Sequence, residues 1–347
     1  MAEQAPQTGT PILRRATPDD TGAICALLGA AFPDNPKRHP ALYRWQYWDN
    51  PFGPSSVWLW EDGGAVVCHG ATFATPGVLD GRPVRLGHAA DSATAASHRR
   101  AGLYARLARA RYRDSAQLGM AAVLSLPNTN SLPGAVRAGL RPVARATAWV
   151  LPLDDAWRAA RLRLPRRVAA TARAVAARRR RGARGQETAG PPPGLDALWQ
   201  RSARWWPNGV ARHAGWWRWR YAGRPGGRYR YFQARSAGGL RAAAATTVRD
   251  DYGGRFLHLL ELLADDVPAA RSVVAAAVDA APAAVAATVV ALPGSRLAGL
   301  AAACGFLRLP RRLEPRPMTL GVVAGSHDVA ALARRRWSLS WGDHDHL

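Results

Sequence analysis

The feature that most constrains this chain is an internal echo. "WQYWDNP" (Trp45, Tyr47, Pro51) returns as "WRYAGRP" (Trp219, Tyr221, Pro225). "LPNTNSLPGAVRAGL" (Leu126 to Leu140) returns as "LPGSRLAGLAAACGF" (Leu292 to Phe306). In both copies of the second stretch the glycine (Gly139, Gly305) follows the proline (Pro127, Pro293) by twelve positions. Two stretches matching in the same order, at similar separation, argue for a duplicated unit rather than chance similarity of alanine-rich text. The 347 residues suffice for two cores of ordinary size.

Within the first copy, Ile12 to Ala16 reads as a short strand. Thr17, Pro18 and Asp20 then mark a helix start, with an N-cap hydroxyl, a proline at the first position and an acid at the third. That helix is expected to reach about Phe32. "SVWLWEDGGAVVCHGATFA" is a hairpin turning at Gly63-Gly64, and "RPVRLGHAADSAT" is a further strand. Leu103 to Gln117 is an amphipathic helix and "MAAVLSLP" a buried strand. The order β-α-β-β-β-α-β-α-β predicts an α/β (α+β) fold. From Asp154 to Gly194 the text turns to arginine and alanine, broken by Pro165 and closed by "GPPPG", which reads as a surface helix and a linker. The expected division is a first domain over 10–153, a joint over 154–194, a second domain over 195–320 and a C-terminal segment over 321–347.

The formal charge of +24 suggests a polyanion partner, but its distribution argues otherwise. Eleven arginines and no acid lie between Ala156 and Gln186, nearly half the excess in one segment. An arginine-rich RNA-binding segment usually brings aromatics for stacking, and here the only one is Trp157. Nucleic-acid or anionic-surface binding through this segment stays as the alternative reading. Lys37 is the only lysine, and "DNPKRHP" is no phosphate loop, so a P-loop enzyme is excluded. Cys25, Cys68 and Cys304 are odd in number and widely spaced, which points to neither a disulfide framework nor a zinc site. The polar start "MAEQAPQTGT" resembles no signal peptide, and the longest apolar stretch, Ala280 to Gly294, is too short to span a bilayer. The expected location is the cytoplasm, with no metal and no membrane span. "WGDHDHL" (Trp341 to Leu347) reads as a mobile polar terminus rather than a metal site. Trp205, Trp206, Trp216, Trp217 and Trp219 either line an acceptor cleft or fill the second core and the face between the domains.

"ATAASHRRAGLYARLARARY" (Ala93 to Tyr112) hands a strand to a helix across one glycine, Gly102. A helix N-terminus exposes N–H groups without intrahelical partners and carries partial positive charge, so anions bind there. Glycine lets the backbone approach closely, and Arg99 and Arg100 add charge. The stretch reads as a diphosphate cradle or, failing that, an ordinary turn with solvated arginines.

The element order, "ILRRATPDDTGAICALL" and "SHRRAGLYARL" together resemble the GNAT superfamily of N-acyltransferases. That family's coenzyme A loop, Arg/Gln-x-x-Gly-x-Gly/Ala, appears here as Arg99-Arg100-Ala101-Gly102-Leu103-Tyr104, with tyrosine at the last landmark. Its next motif, Asn followed eleven residues later by Gly-Phe, appears as Asn128 with Gly139-Leu140. "WQYWDNPFGPS" and "SLPNTNS" are similar to a bacterial branch with two such domains. The resemblance covers residues 10 to 152 well and 195 to 310 loosely.

The resemblance implies transfer of an acetyl or other acyl group from acyl-CoA to an amine of a small molecule, sugar or peptide. It implies coenzyme contacts from Thr94, Ala95, Ala96, Arg99, Arg100, Ala101, Gly102, Leu103, Tyr104, Asn128 and Ser131, with an oxyanion donor among the N–H groups of Thr94 to Ala96. The family's proton-donating tyrosine, seven residues after the motif asparagine, is replaced by Ala135, which leaves Tyr104 as the nearby phenol. His88, eleven residues before Arg99, stands where other members carry a catalytic glutamate. Asp91 is the other candidate, although its strand parity is opposite unless a bulge intervenes. In the second copy, "RFLHLLELL" is followed by "ADDVPAARSVVAAAV", which has no glycine. Asp265 and Asp266 would stand where a diphosphate should sit, and Pro268 removes an amide. One acyl-CoA per chain is therefore expected, in the first domain.

Overall fold

Gly63 and Gly64, at φ +55° and +80°, turn β2 (Ser56–Asp62) into β3 (Ala65–Leu79), a turn that demands left-handed backbone at both positions. This is the hairpin expected from the sequence. The structure is a computed structural model, and it describes residues 10–33, 38–154, 185–251, 253–314, 318–324 and 328–344. The expected first strand is β1 (Ile12–Arg15). At the helix start, Asp20 Oδ2 accepts the Thr17 N–H at 2.8 Å, and α1 spans Thr21–Ala31. An additional helix, α2 (Pro40–Tyr47), carries the first copy of the repeated W-x-Y motif. The chain continues through β4 (Arg82–Thr94), α3 (Leu103–Gln117), β5 (Ala122–Ser125), α4 (Leu132–Arg137) and β6 (Arg141–Pro152).

The second half repeats this series. After β7 (Gln186–Thr188), α5 (Leu195–Ser202), β8 (Asn208–Val210) and α6 (Ala214–Trp217) come β9 (Arg230–Ser236), β10 (Gly239–Asp251) and β11 (Gly254–Ala264). Then follow α7 (Val267–Asp279), β12 (Ala286–Ala291), α8 (Arg296–Ala303), β13 (Leu307–Arg308) and β14 (Met318–Ala324). In each half the two central strands are bulged against one another, and the next strand lies parallel. His88 pairs with Leu124 and His258 with Thr288.

The halves do not keep separate sheets. Among the described residues fourteen strands form one sheet, with the central order β4-β5-β14-β6-β12-β11. The last strand of each half crosses over. β14 pairs antiparallel with β5 of the first half, and β6 pairs antiparallel with β12 of the second. β6 also carries β14 along its own first part. This arrangement differs from the expected division in two ways. The boundary placed at residue 320 falls inside β14, and part of the supposed joint, Gln186–Thr188, is a strand paired with β9. Residues 155–184, which hold most of the arginine-rich segment, lie outside the described residues. The mostly antiparallel sheet flanked by helices agrees with the fold class read from the sequence.

One apolar cluster runs through both halves. Trp45 and Trp219, equivalent positions of the repeat, stack on each other at 4.6 Å and 17°. Trp206, Trp216, Trp217 and Trp219 are all buried, so these four fill the core and the face between the halves, while Trp205 is half-buried beneath Arg204 and Arg296. The C-terminal stretch is packed as well. Asp343 is buried and pairs with Arg212, which also holds Glu261 at 2.8 Å. Trp341 lies edge-on to His258. For Trp341 to His344, the expectation of a mobile polar terminus is thereby corrected: a buried arginine needs carboxylate partners, and this segment supplies one.

Candidate active site

β4 and β5 run parallel from Leu86/Ala122 to Ala89/Ser125, and the pairing then stops. β4 continues to Thr94 on β3 alone, so its other edge opens into a wedge beside β5. The β3–β4 register slips between His69/Ala93 and Ala71/Ala90, which inserts one extra residue in β4. Asp91, at φ +50°, lies in that bulge. A bulge re-aims the side chains that follow it. His88 stacks on Phe73 at 5.2 Å and 18°, and Asp91 accepts the Tyr47 hydroxyl at 2.5 Å. Both side chains therefore face the α1–α2 side of the sheet, as the parity argument required of a bulge. On the same side, Tyr43 meets His69 Nε2 at 2.8 Å, and His69 Nδ1 meets the Asp91 carbonyl at 2.7 Å. His88 and Asp91 are 4% and 8% exposed, so any acceptor must reach them from the wedge.

The opposite face of β4 belongs to α3. Ser92 Oγ accepts from Arg111 Nη1 at 3.2 Å, and the same nitrogen donates to the Ala71 carbonyl at 3.1 Å. The Tyr104 hydroxyl faces Ser92 and Arg111. Burial pushes its pKa up while Arg111 pulls it back, leaving it above the ordinary tyrosine value, so it stays a protonated donor near neutral pH. The Tyr104 ring packs on α4 at Gly134, where a Cβ would come within 2.6 Å of Cδ1. Tyr104 thus lies against the turn of α4 that carries Ala135.

At the mouth of the wedge, Arg100 and Gly102 adopt φ +68° and +72°. The chain turns there into α3, and a Cβ on Gly102 would meet nothing within 4 Å. The backbone N–H groups of Gly102, Leu103, Tyr104 and Ala105 donate to no described residue. Arg99 and Arg100 are exposed beside them. Across the wedge, Asn128 Oδ1 accepts from the N–H groups of Asn130 and Ser131 at 3.0 and 2.9 Å. The Ser131 hydroxyl donates to the Asn128 carbonyl at 3.4 Å. Asn128 and Ser131 therefore shape the β5–α4 turn. Of the expected oxyanion region, the Ala95 N–H is already engaged by the Val67 carbonyl at 2.8 Å and is not available. Thr94 Oγ1 lies 3.2 Å from Cys68 Sγ.

The second half keeps the strand geometry without this mouth. Tyr221 donates to Glu261 at 2.8 Å, as Tyr47 does to Asp91. Asp266 caps α7 by accepting the Ala269 N–H at 2.8 Å. Arg201 and Arg241 bind Asp265, and Arg241 also binds Asp266. The helix start is satisfied from within the chain.

The sequence of residues 13–133 matches the family model for the acetyltransferase (GNAT) domain. Over this stretch the chain is similar to GNAT acetyltransferase domains. The match ends before β6. Solved GNAT-related structures share the fold over nearly the whole chain. A GCN5-related N-acetyltransferase from Anabaena variabilis is 12% identical, with a TM-score of 0.65 over 91% of this chain and 73% of that one. A probable N-acyltransferase from Enterococcus faecalis is 11% identical, with a TM-score of 0.63 over 90% and 72%. Eis1 from Mycobacterium abscessus is 15% identical, with a TM-score of 0.55 over 94% and 76%. At these identities the likeness is one of fold. Comparison with curated proteins gives no match.

Four residues of the candidate site were not singled out as such from the sequence. Tyr43, Tyr47 and His69 brace the bulge, and Arg111 lies beneath it. The signal for the bulge was a repeated His-x-x-acid, His88/Asp91 and His258/Glu261.

Proposed function

We propose that the first half binds one acyl-CoA per chain, acetyl-CoA in the simplest case, and transfers its acyl group to an amine. The observation that carries this is the set of four N–H groups without partners at Gly102 to Ala105, at the open mouth of the wedge. Such an array fits a diphosphate, and the exposed guanidinium groups of Arg99 and Arg100 add charge to it. The wedge then holds the pantetheine arm along the free edge of β4 and brings the thioester towards the bulge. Holding amine and thioester together supplies several kcal/mol or more of the barrier reduction, on the order found for well-oriented intramolecular reactions.

His88 takes the proton of the attacking amine. Imidazole is suited to that task near neutral pH. Asp91, fixed by Tyr47, gives His88 a negatively charged neighbour on the same face. When the tetrahedral adduct collapses, the carbon–sulfur bond breaks with its electron pair on sulfur. The Tyr104 hydroxyl gives its proton to that sulfur and recovers one from solvent, while His88 releases the proton it took. The second half backs the wall behind the base, since Phe73, stacked on His88, lies 6.0 Å from Trp219.

Calorimetric titration with acetyl-CoA tests the reading. It should saturate near one equivalent per chain. Two equivalents would show that the second half also binds, against its self-capped α7, and no heat at any concentration would remove the cradle altogether.

A further inference from the structure

Arg111 projects from α3 into the interior and is 1% exposed. Its guanidinium has neutral oxygen partners, the Ala71 carbonyl and Ser92 Oγ. Its Nε–H is buried and has no acceptor, and no described carboxylate lies within ion-pair distance of it. It also lies 4.9 Å over the ring of Tyr112. Burying an arginine without a counter-charge is costly. Of the two other buried guanidinium groups among the described residues, Arg212 has two carboxylates and Arg220 is held by the carbonyls of Gly342 and His344; the Arg111 Nε–H has neither. A buried cation held only by neutral oxygens is free to stabilise negative charge that develops beside it during a reaction.

The location supplies the reason. Arg111 stands eight residues along α3 from Leu103, the first helical residue after Gly102, or about 12 Å at the helical rise. There it meets Ser92, next to Asp91 in the bulge, and the buried Tyr104 hydroxyl. Tyr104 is joined to it along one helix face, since residues seven apart stack two turns away. Titratable and charged groups facing Tyr104 are Arg111 and Tyr112 from α3. β4 presents Ser92 there and α4 presents Gly134, and neither ionises in this range.

We propose that Arg111 is a positioning residue for acyl transfer, holding Tyr104 and Ser92 at the open edge of β4 and stabilising the negative charge that falls on the donor's sulfur. The inference rests on the acyl-CoA reading above. Arg111 acts through the Tyr104 hydroxyl. As the carbon–sulfur bond breaks, the electron pair moves to sulfur, the phenol proton follows it, and the guanidinium offsets the charge left on the phenol oxygen until solvent returns a proton. Ser92 keeps the guanidinium in place.

The test uses coenzyme A itself and needs no acceptor. The thiol of coenzyme A bound to the full chain is titrated by thiolate absorbance, with desulpho-coenzyme A as the blank for protein groups. In the native protein the bound thiol should titrate about one pH unit or more below its value in Arg111→Met, the size expected for a nearby opposite charge. Arg111→Lys should restore most of the shift, and affinity for desulpho-coenzyme A should be unchanged. A purely structural role would leave the thiol titration alike in native protein and Arg111→Met, and that result overturns the inference. If Arg111→Met does not fold, because Ala71 and Ser92 lose their donor, Tyr104→Phe carries the test. It keeps the cation, removes the relay, and must raise the thiol pKa; an unchanged value there refutes the proposal. Failure of desulpho-coenzyme A to bind the native chain would instead refute the cradle, and this inference with it.

Discussion

Replacing Gly102 separates backbone conformation from contact at the cradle. Gly102 sits at φ +72° with open space where a Cβ would go. Alanine there meets no clash, so its whole cost is the left-handed conformation, about 1–2 kcal/mol for an L residue. If the free loop of Gly102→Ala relaxes to negative φ, coenzyme must pull it back, and affinity should fall about 5- to 30-fold. Proline is a different perturbation. Its ring holds φ near about −65° and removes one N–H of the array, so Gly102→Pro should abolish binding. Calorimetric titration with acetyl-CoA measures both, and circular dichroism melts report on folding. The loop is exposed, so both variants should melt close to the native protein. An alanine variant with native affinity, or a proline variant that still binds, would mean that the coenzyme does not use this backbone.

Two further outcomes concern stability. Arg212→Met strands Glu261 and Asp343 in the core, and should cost about 3–5 kcal/mol in denaturant unfolding; apolar residues of similar volume at all three positions should recover most of it. Hydrogen bonds from Arg14 hold the Asp20 carboxyl down from 3.8 to about 2. The pair therefore stabilises the protein above about pH 4 and ceases to as pH falls through about 2. Asp20→Asn should be less stable than the native chain at pH 6 and equal to it near pH 2, as read from denaturant midpoints; a constant difference across that range would show that the carboxylate charge is not responsible.

Local signals in the sequence determined most of the elements and the mouth of the site. The glycine pair at Gly63-Gly64, the Thr17-Pro18 start and the stripe of α3 each act through neighbours a few residues away, and each appears where expected. The same holds for Gly102, because a strand-to-helix turn with free N–H groups is a property of consecutive residues. The repeat, too, was legible as text. Its consequence for the sheet was not. Hydrogen bonding along a strand edge carries no label for which copy supplies the partner, so nothing in β6 or β14 says that they exchange halves. The tertiary structure decided this by giving the free edge of β5 to β14 and that of β12 to β6. It also decided the faces of β4. One extra residue in the bulge reverses the side on which Asp91 emerges, a register choice made between strands. Arg111 falls on the Leu103–Leu107 stripe of α3, where the helical period placed a buried side chain. Only packing against the bulge gave that charge the Ala71 carbonyl, Ser92 and Tyr104 as its company.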